Sequence, residues 1–215
     1  PVYLDVLTGN VEGVAEEALE ALRNWEYQMD PALAAPLIHE QIYAELIRVM
    51  YEDELGGLFP EVLNNNIIAR HHIYDLAVTM ESAWCDDIST TGQVESFSDN
   101  ITTAYKAAIG NVMEWRYGDL HTLTIEHPMG SVDIVKKLFN PNLGPFAVGG
   151  SFHTVAPYSY PVGKNYNVTH GASQRHVYDL DNWDRSKTVI PTGTSGVPAS
   201  PYYGNQAEMY VDFEY

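Results

Sequence analysis

An α+β chain, helical in its first half and strand-rich in its second, is what this sequence predicts, and three observations carry that reading. Up to residue 113, apolar residues recur every third or fourth position, the spacing of a helix with one buried face. From residue 114 onward, short stretches alternate apolar and polar residues with a period of two. Gly, Pro and Asn turns separate those stretches. The organisation therefore reads as residues 1–113, mainly helical, followed by residues 114–215, β-rich.

The elements follow in order. Val14, Ala18, Leu22 and Trp25 fall on one stripe of a first helix. Ile38, Ile42, Leu46 and Val49 mark a second, with Asp30 before Pro31 as its N-cap signal and Gly56-Gly57 as its stop. A third is expected from Asn66 to Trp84. A fourth runs from Ser98 to Met113, with Tyr105, Ala108 and Val112 facing inward. These stripes are packing surface and carry no chemistry. Beyond them, "LHTLTIEH" sets Leu120, Thr122, Thr124 and Glu126 against His121, Leu123, Ile125 and His127, as a strand does. "GPFAVGGSFHTVAPYSY", "GASQRHVYDL" and "KTVIPTGTSG" read as further short strands. They are too few and too irregular to close a sandwich, and are expected to belong to a sheet completed by other polypeptide.

Composition narrows the function classes. The chain of 215 residues is 45% hydrophobic and 19% charged, a globular balance. Eleven Lys and Arg stand against 29 Asp and Glu, a formal net charge of −18, with no basic run. Nucleic acid is therefore not an expected partner, because a phosphate backbone calls for clustered cations. No stretch approaches the ~18 apolar residues of a membrane span. Cys85 is the one cysteine, set among apolar neighbours as a small buried hydrophobe. The chain opens on Pro1, which suggests a processed or truncated piece of a longer protein.

Several polar groups invite a chemical reading. His71 and Asp75 lie one turn apart beside His72, a spacing that can hold a metal, yet no third or fourth ligand follows; exposed helix polars explain it better. His121, His127 and His153 sit near Glu126 on the expected sheet, with His127 before Pro128 placed to bond a turn. Ser173, Arg175 and Asp179 alternate along one strand, which predicts an inward Arg175 in a buried, charge-assisted network with an acid. Asn100-Ile101-Thr102 and Asn167-Val168-Thr169 match the glycan acceptor pattern. No nucleophile, base and orienting group can be assembled from these residues.

The order of four motifs is more informative than any one of them. "WRYGDLHTLTIEHPMG" resembles the W-x-x-G-x-x-H…H-P stretch of the penicillin acylase family of N-terminal-nucleophile hydrolases, on Trp115, Gly118 and His121. Gly149-Gly150 with "HTV" follows. "HGASQRHVYDL" is similar to the family's G-x-S-x-R…D strand, on Ser173, Arg175 and Asp179. "PTGTSGVPASPYYGNQ" resembles its G-x-S-G-x-P-x-S-x-x-Y-x-x-Q segment, on Ser195, Gly196, Ser200, Tyr203 and Gln206. The helical front resembles the helices before these motifs, so the likeness covers essentially the whole chain.

The resemblance implies the C-terminal part of the β chain of a four-layer αββα sandwich. It implies an amidohydrolase acting on penicillin-like or N-acyl homoserine lactone-like amides through an acyl-serine. The serine, made N-terminal by self-cleavage of a precursor, would lie upstream, together with the oxyanion hole and most of the acyl pocket. Its partners are then the upstream α and β segments of the same precursor and a small-molecule amide, and this segment alone is expected to be inactive. Asp179 stands where relatives carry an acid that orients a histidine near the nucleophile, so it is the candidate supporting residue; the other motif residues are structural. No cofactor is expected in this segment, with calcium possible elsewhere in the full protein, and export is implied. The rivals are a carbohydrate- or protein-binding module, drawing on 15 tyrosines and four tryptophans, and an inactive relative of the family.

Overall fold

The computed structural model describes residues 3–7, 14–110, 114–139, 141–152 and 154–215. They form two compact units, the first up to Leu120 together with Pro161–Tyr166, the second His121–Tyr160 with Asn167–Tyr215. The class is α+β, with small antiparallel sheets.

The first unit is built from α1 (Tyr3–Val6), α2 (Val14–Arg23), α3 (Ala35–Leu55), α4 (Phe59–Asn64), α5 (Ile67–Thr79), α6 (Phe97–Ala108) and α7 (Tyr117–Leu120). α2 buries Ala18 and Leu22, as its stripe predicts, together with Leu19, and buried Trp25 follows the helix with its indole N–H on the Gln28 carbonyl at 2.7 Å. α3 is the spine. It buries Leu37, Ile38, Ile42, Leu46, Ile47 and Met50 and packs most extensively on α6. Its start corrects the sequence reading. Asp30 does not cap it; its carboxylate accepts the Ala32 N–H at 2.8 Å in a separate turn, and the helix opens at Ala35 with Pro36 in the first turn. The 31–33 backbone is committed elsewhere, because the Pro31 and Leu33 carbonyls accept the N–H groups of Gly118 and Tyr117 at 2.9 and 2.8 Å. At the other end Gly56 takes a positive φ of 48° and stops the helix where Gly56-Gly57 predicts.

α5 ends earlier than expected. Met80 adopts the left-handed conformation at φ 58°, and Ser82 then accepts the Trp84 N–H to start a single 3₁₀ turn over Ala83–Cys85. α6 is opened by a capping box: the Ser96 hydroxyl accepts the Asp99 N–H, while the Asp99 carboxylate accepts the Ser96 N–H at 2.9 Å. Phe97, Ile101, Ala104, Tyr105 and Ala108 are its buried face. Val112 and Met113, expected in this helix, lie outside the described residues.

The second unit pairs β1 (Thr122–Ile125) with β2 (Leu143–Ala147) and β3 (Arg175–Val177) with β4 (Lys187–Val189), both antiparallel. α8 (Asp133–Phe139) lies between the first two strands and α9 (Ala207–Val211) follows the last. Val148, Tyr158, Val189 and Tyr210 form the core, flanked by Leu123, Phe146 and Met209. The expectation of a mostly β second half needs correction. Among the described residues, regular strand occupies four segments of three to five residues, and turns and irregular backbone carry most of the rest. Prolines without a ladder donor interrupt the alternation, and the 120–127 run is trimmed at both ends. Leu120 closes α7, and His127 caps the 3₁₀ turn Pro128–Ser131. Among the described residues, each strand is paired with one neighbouring strand only.

Candidate functional site

Apart from His121, the motif residues of the second unit lie along the β3–β4 hairpin and the segments flanking it. Asp179 follows β3 and organises the connection to β4. One carboxylate oxygen accepts the N–H groups of Asp181 and Asn182, both at 3.0 Å, and the other meets Arg185 Nε at 2.8 Å. The Asp179 N–H donates to Ser186 Oγ at 3.1 Å. The arrangement is an Asx turn closed by an ion pair, which fixes where the acid sits relative to β3.

Arg175 departs from the network predicted for it. It is half-buried, but its partners are not acids. One guanidinium nitrogen donates to the Tyr210 carbonyl at 2.5 Å and lies 3.4 Å from that of Met209, both in α9. The guanidinium carbon lies 4.5, 4.6 and 5.8 Å from the ring centroids of Tyr210, Phe213 and Tyr215. A cation at carbonyls near a helix C-terminus, stacked on aromatic faces, is held by dipole and ring quadrupole together. Asp179 has Arg185 instead, and Ser173 is exposed. The reason is reach: alternation along the strand does not persist, since β3 ends at Val177.

The segment 191–206 folds back on itself by local bonds. Ser195 N–H donates to the Tyr202 carbonyl at 3.1 Å, Ser195 Oγ accepts from Val197 N–H, and Ser200 Oγ accepts from Tyr202 N–H. Gly193 admits no side chain, because a Cβ there would run into the Tyr202 carbonyl oxygen. Tyr203 donates its hydroxyl to the Pro141 carbonyl at 2.5 Å. Gln206 links β4 to α9: its side-chain oxygen accepts the Ile190 N–H at 3.0 Å, and its own N–H donates to the Thr192 carbonyl at 2.9 Å. The small hydroxyl residues and the Tyr and Gln thus satisfy backbone groups that a tight loop leaves unpaired.

The histidines divide. His127 Nδ1 accepts the Met129 N–H at 3.1 Å, while Nε2 donates to the Gly196 carbonyl at 3.3 Å, and the ring stands edge-on to Tyr203. Both bonds fix one tautomer and join the H-P turn to the 191–206 loop, the bond to a turn that the sequence suggested. His121 is fully buried, edge-to-face with Tyr160 at 5.5 Å, and its carbonyl accepts the Val148 N–H. His153 lies outside the described residues. In the first unit, Gly118 is buried at its bond to Pro31, and Trp115 is exposed. His72 Nδ1 meets the Tyr51 hydroxyl at 2.6 Å, away from any shared site with His71 and Asp75. Among the described residues, no three or more His, Cys, Asp or Glu side chains are grouped to hold a metal ion. Asn100 is buried with its amide on the Cys85 carbonyl at 3.1 Å, so its glycan pattern is inaccessible in the folded unit.

Sequence reasoning missed Arg185 as the partner of Asp179, and the C-terminal rings as the partners of Arg175. An Asp and an Arg six residues apart in a loop carry no periodic signal. Clustered aromatics near a chain end, Tyr210, Phe213 and Tyr215, were the available clue. Burial raises the pKa of the Tyr158 hydroxyl, with Tyr210 adding to it, and burial also raises that of Tyr203. Both phenols stay protonated; Tyr203 serves as a donor to Pro141 and Tyr158 as buried packing surface.

With these positions fixed, the comparisons assign the class. The Penicillin amidase family model matches residues 2–215, and the chain belongs to that family of hydrolases. It is 31% identical over 118 residues to a penicillin acylase 2 proenzyme of Pseudomonas sp. (strain SE83), covering 54% of this chain and 15% of that protein. It is 24% identical over 225 residues to the acyl-homoserine lactone acylase QuiP of Pseudomonas fluorescens (strain Pf0-1), covering 99% of this chain and 26% of that protein. The QuiP acylase of Pseudomonas syringae pv. syringae (strain B728a) matches at 24% over 229 residues, 99% of this chain and 27% of its own length. The chain therefore spans about a quarter or less of the curated relatives it matches. Among the described residues, no helix is long and apolar enough to cross a membrane.

Proposed function

We propose that this chain is the C-terminal portion of a penicillin-acylase-type amidohydrolase whose nucleophile lies in polypeptide upstream of it. The observation that carries the reading is the family match across residues 2–215 combined with four motifs in family order. The full enzyme hydrolyses a non-peptide amide in two steps. A serine hydroxyl, deprotonated by its own α-amine, attacks the amide carbonyl and expels the amine; water then cleaves the acyl-serine ester. Substrates are N-acyl compounds of the penicillin or acyl-homoserine lactone type, the classes named for the relatives.

This chain then contributes scaffold. β1–β4, each paired with one neighbouring strand only among the described residues, are edge pieces of the four-layer αββα core, and the upstream α and β segments complete it. Asp179 supports catalysis at one remove, its carboxylate pinned by Arg185 and two backbone N–H groups so that the turn after β3 keeps one conformation. The segment alone is inactive, any calcium belongs elsewhere in the protein, and the enzyme is exported. Intact mass and N-terminal sequencing of the native gene product test this. A processed β chain beginning with serine and running through Tyr215 is expected. A native product starting at Pro1, with no upstream partner chain, overturns the reading.

A further inference from the structure

We infer that the outer face of α5, with the clefts along its two flanks, is the seam on which an apolar stretch of the upstream polypeptide packs. This rests on the reading above, and it names a surface for that partner. α5 spans 13 residues, IIARHHIYDLAVT, of which only Ala69 and Leu76 are buried. Ile67, Ile68, Tyr74 and Val78 are 55, 78, 67 and 85% exposed. α3, in the same unit, buries ten. A helix that leaves four large apolar side chains in solvent beside its polar His71 and Asp75 is not a purely solvated face, and exposed apolar clusters of this kind mark an interface.

The flanks repeat the point. Between α5, α3 and α6 lies a cleft of about 330 Å³ walled by Ile42, Leu46, Ile73 and Phe97. Among its polar members, which include buried Glu40, the Arg70 guanidinium donates to the Tyr43 hydroxyl at 3.2 Å and lies 5.0 Å over the Tyr43 ring, and it reaches Asn66 outside the cleft at 3.3 Å. On the other flank a cleft of about 410 Å³ is walled by Leu55, Ile68 and Trp84, and its Tyr51 and His72 bond each other at 2.6 Å. Both clefts are walled mainly by apolar and aromatic side chains, which suits large apolar side chains.

The occupant follows from length and charge. Relatives that align along 99% of this chain hold it as only 26% of their own length, so most of their polypeptide lies outside it. A segment of the same precursor meets this face at the high effective concentration of an intramolecular contact. The exposed residues of α5 include one acid, Asp75, in a chain of net charge −18. The cleft walls add Glu40, itself buried, and Glu61, but the exposed Ile67, Ile68, Tyr74 and Val78 outnumber these acids and call for an apolar partner.

Hydroxyl-radical footprinting of Tyr74 in the full-length matured enzyme and in the 215-residue chain tests the seam, with amidase activity measured alongside. The modification rate of Tyr74 is expected to fall at least tenfold in the full-length enzyme. Val78→Glu is expected to cut the yield of assembled enzyme several-fold while the isolated chain stays folded. An active enzyme in which Tyr74 reacts as fast as in the isolated chain overturns the seam and leaves the acylase reading standing. A protected Tyr74 in an inactive full-length protein supports the seam and counts against the acylase. Protection that rises with concentration of the isolated chain, and no further in the full-length enzyme, assigns the face to a second copy and overturns the inference.

Discussion

Replacing Arg175 with alanine removes the clasp on the C-terminal segment, and its cost can be worked from the contacts. The bond to the Tyr210 carbonyl, at 2.5 Å, involves a charged donor and contributes roughly 1.5–3 kcal/mol. Stacking over Tyr210 and Phe213, at 4.5 and 4.6 Å, adds about 0.5–1 kcal/mol for each ring at a partly exposed site. The sum is about 2.5–5 kcal/mol, or a fall in Tm of about 5–20 °C for a chain of this size. The cause matters as much as the size. Were Arg175 paired with a buried acid, its loss would orphan a carboxylate, and protonating that group at low pH would restore stability. With carbonyls and rings as partners, the deficit is the same at pH 5 and pH 8. Thermal melts of wild type, Arg175→Ala and Arg175→Lys at both pH values, with carboxypeptidase release of Tyr215, measure it. Arg175→Lys is expected to lose about half as much, keeping the charge without the planar fork. A melt for Arg175→Ala within 2 °C of wild type (about 0.5–1 kcal/mol), or a deficit that vanishes at pH 5, refutes the clasp.

Other outcomes follow from the same geometry. Ser96→Ala removes the hydroxyl that caps α6 and is expected to cost about 1 kcal/mol in urea denaturation, with Ser96→Asp retaining most of it. Gly193→Ala drives a Cβ into the Tyr202 carbonyl, so the 191–206 loop must shift; a loss above about 2 kcal/mol and faster proteolysis in that loop are expected. Burial raises the Glu54 carboxyl to about 7, helped by the neighbouring carboxylates of Asp53 and Asp86, against 4.5 in the unfolded chain. Its contribution is fully present below about 4.5 and lost as the pH rises through 7. Melts should therefore weaken between pH 5 and 8, and Glu54→Gln should flatten that slope.

How far the sequence could be read depended on the range of the interaction. The inward stripes of α2, α3 and α6 were legible because one buried face repeats at a fixed period, and Ala18, Ile42, Leu46, Tyr105 and Ala108 are all buried. Helix ends were less so. Asp30 has the chemistry of a cap, but the N–H groups of Gly118 and Tyr117, far along the chain, take the 31–33 carbonyls. In the second half, "KTVIP" announces a strand that Pro191 then cuts short, so alternation overstated the ladder. The 191–206 motif showed its turns and its Tyr and Gln, but not the Pro141 and Ile190 partners, which are set by tertiary placement. Asp179 was singled out by motif order alone; that Arg185 holds it could not be read from any period.

The measurement that bears most directly on the central claim joins this chain to the polypeptide proposed to precede it. The purified 24.0 kDa chain is mixed, during refolding, with the upstream segments carrying a free N-terminal serine, and cleavage of an N-acyl nitroanilide is followed. The account predicts no turnover from either piece, turnover from the mixture, and its loss when that serine is replaced by alanine. Turnover by the 215-residue chain alone, or an active upstream piece that gains nothing from it, contradicts the account.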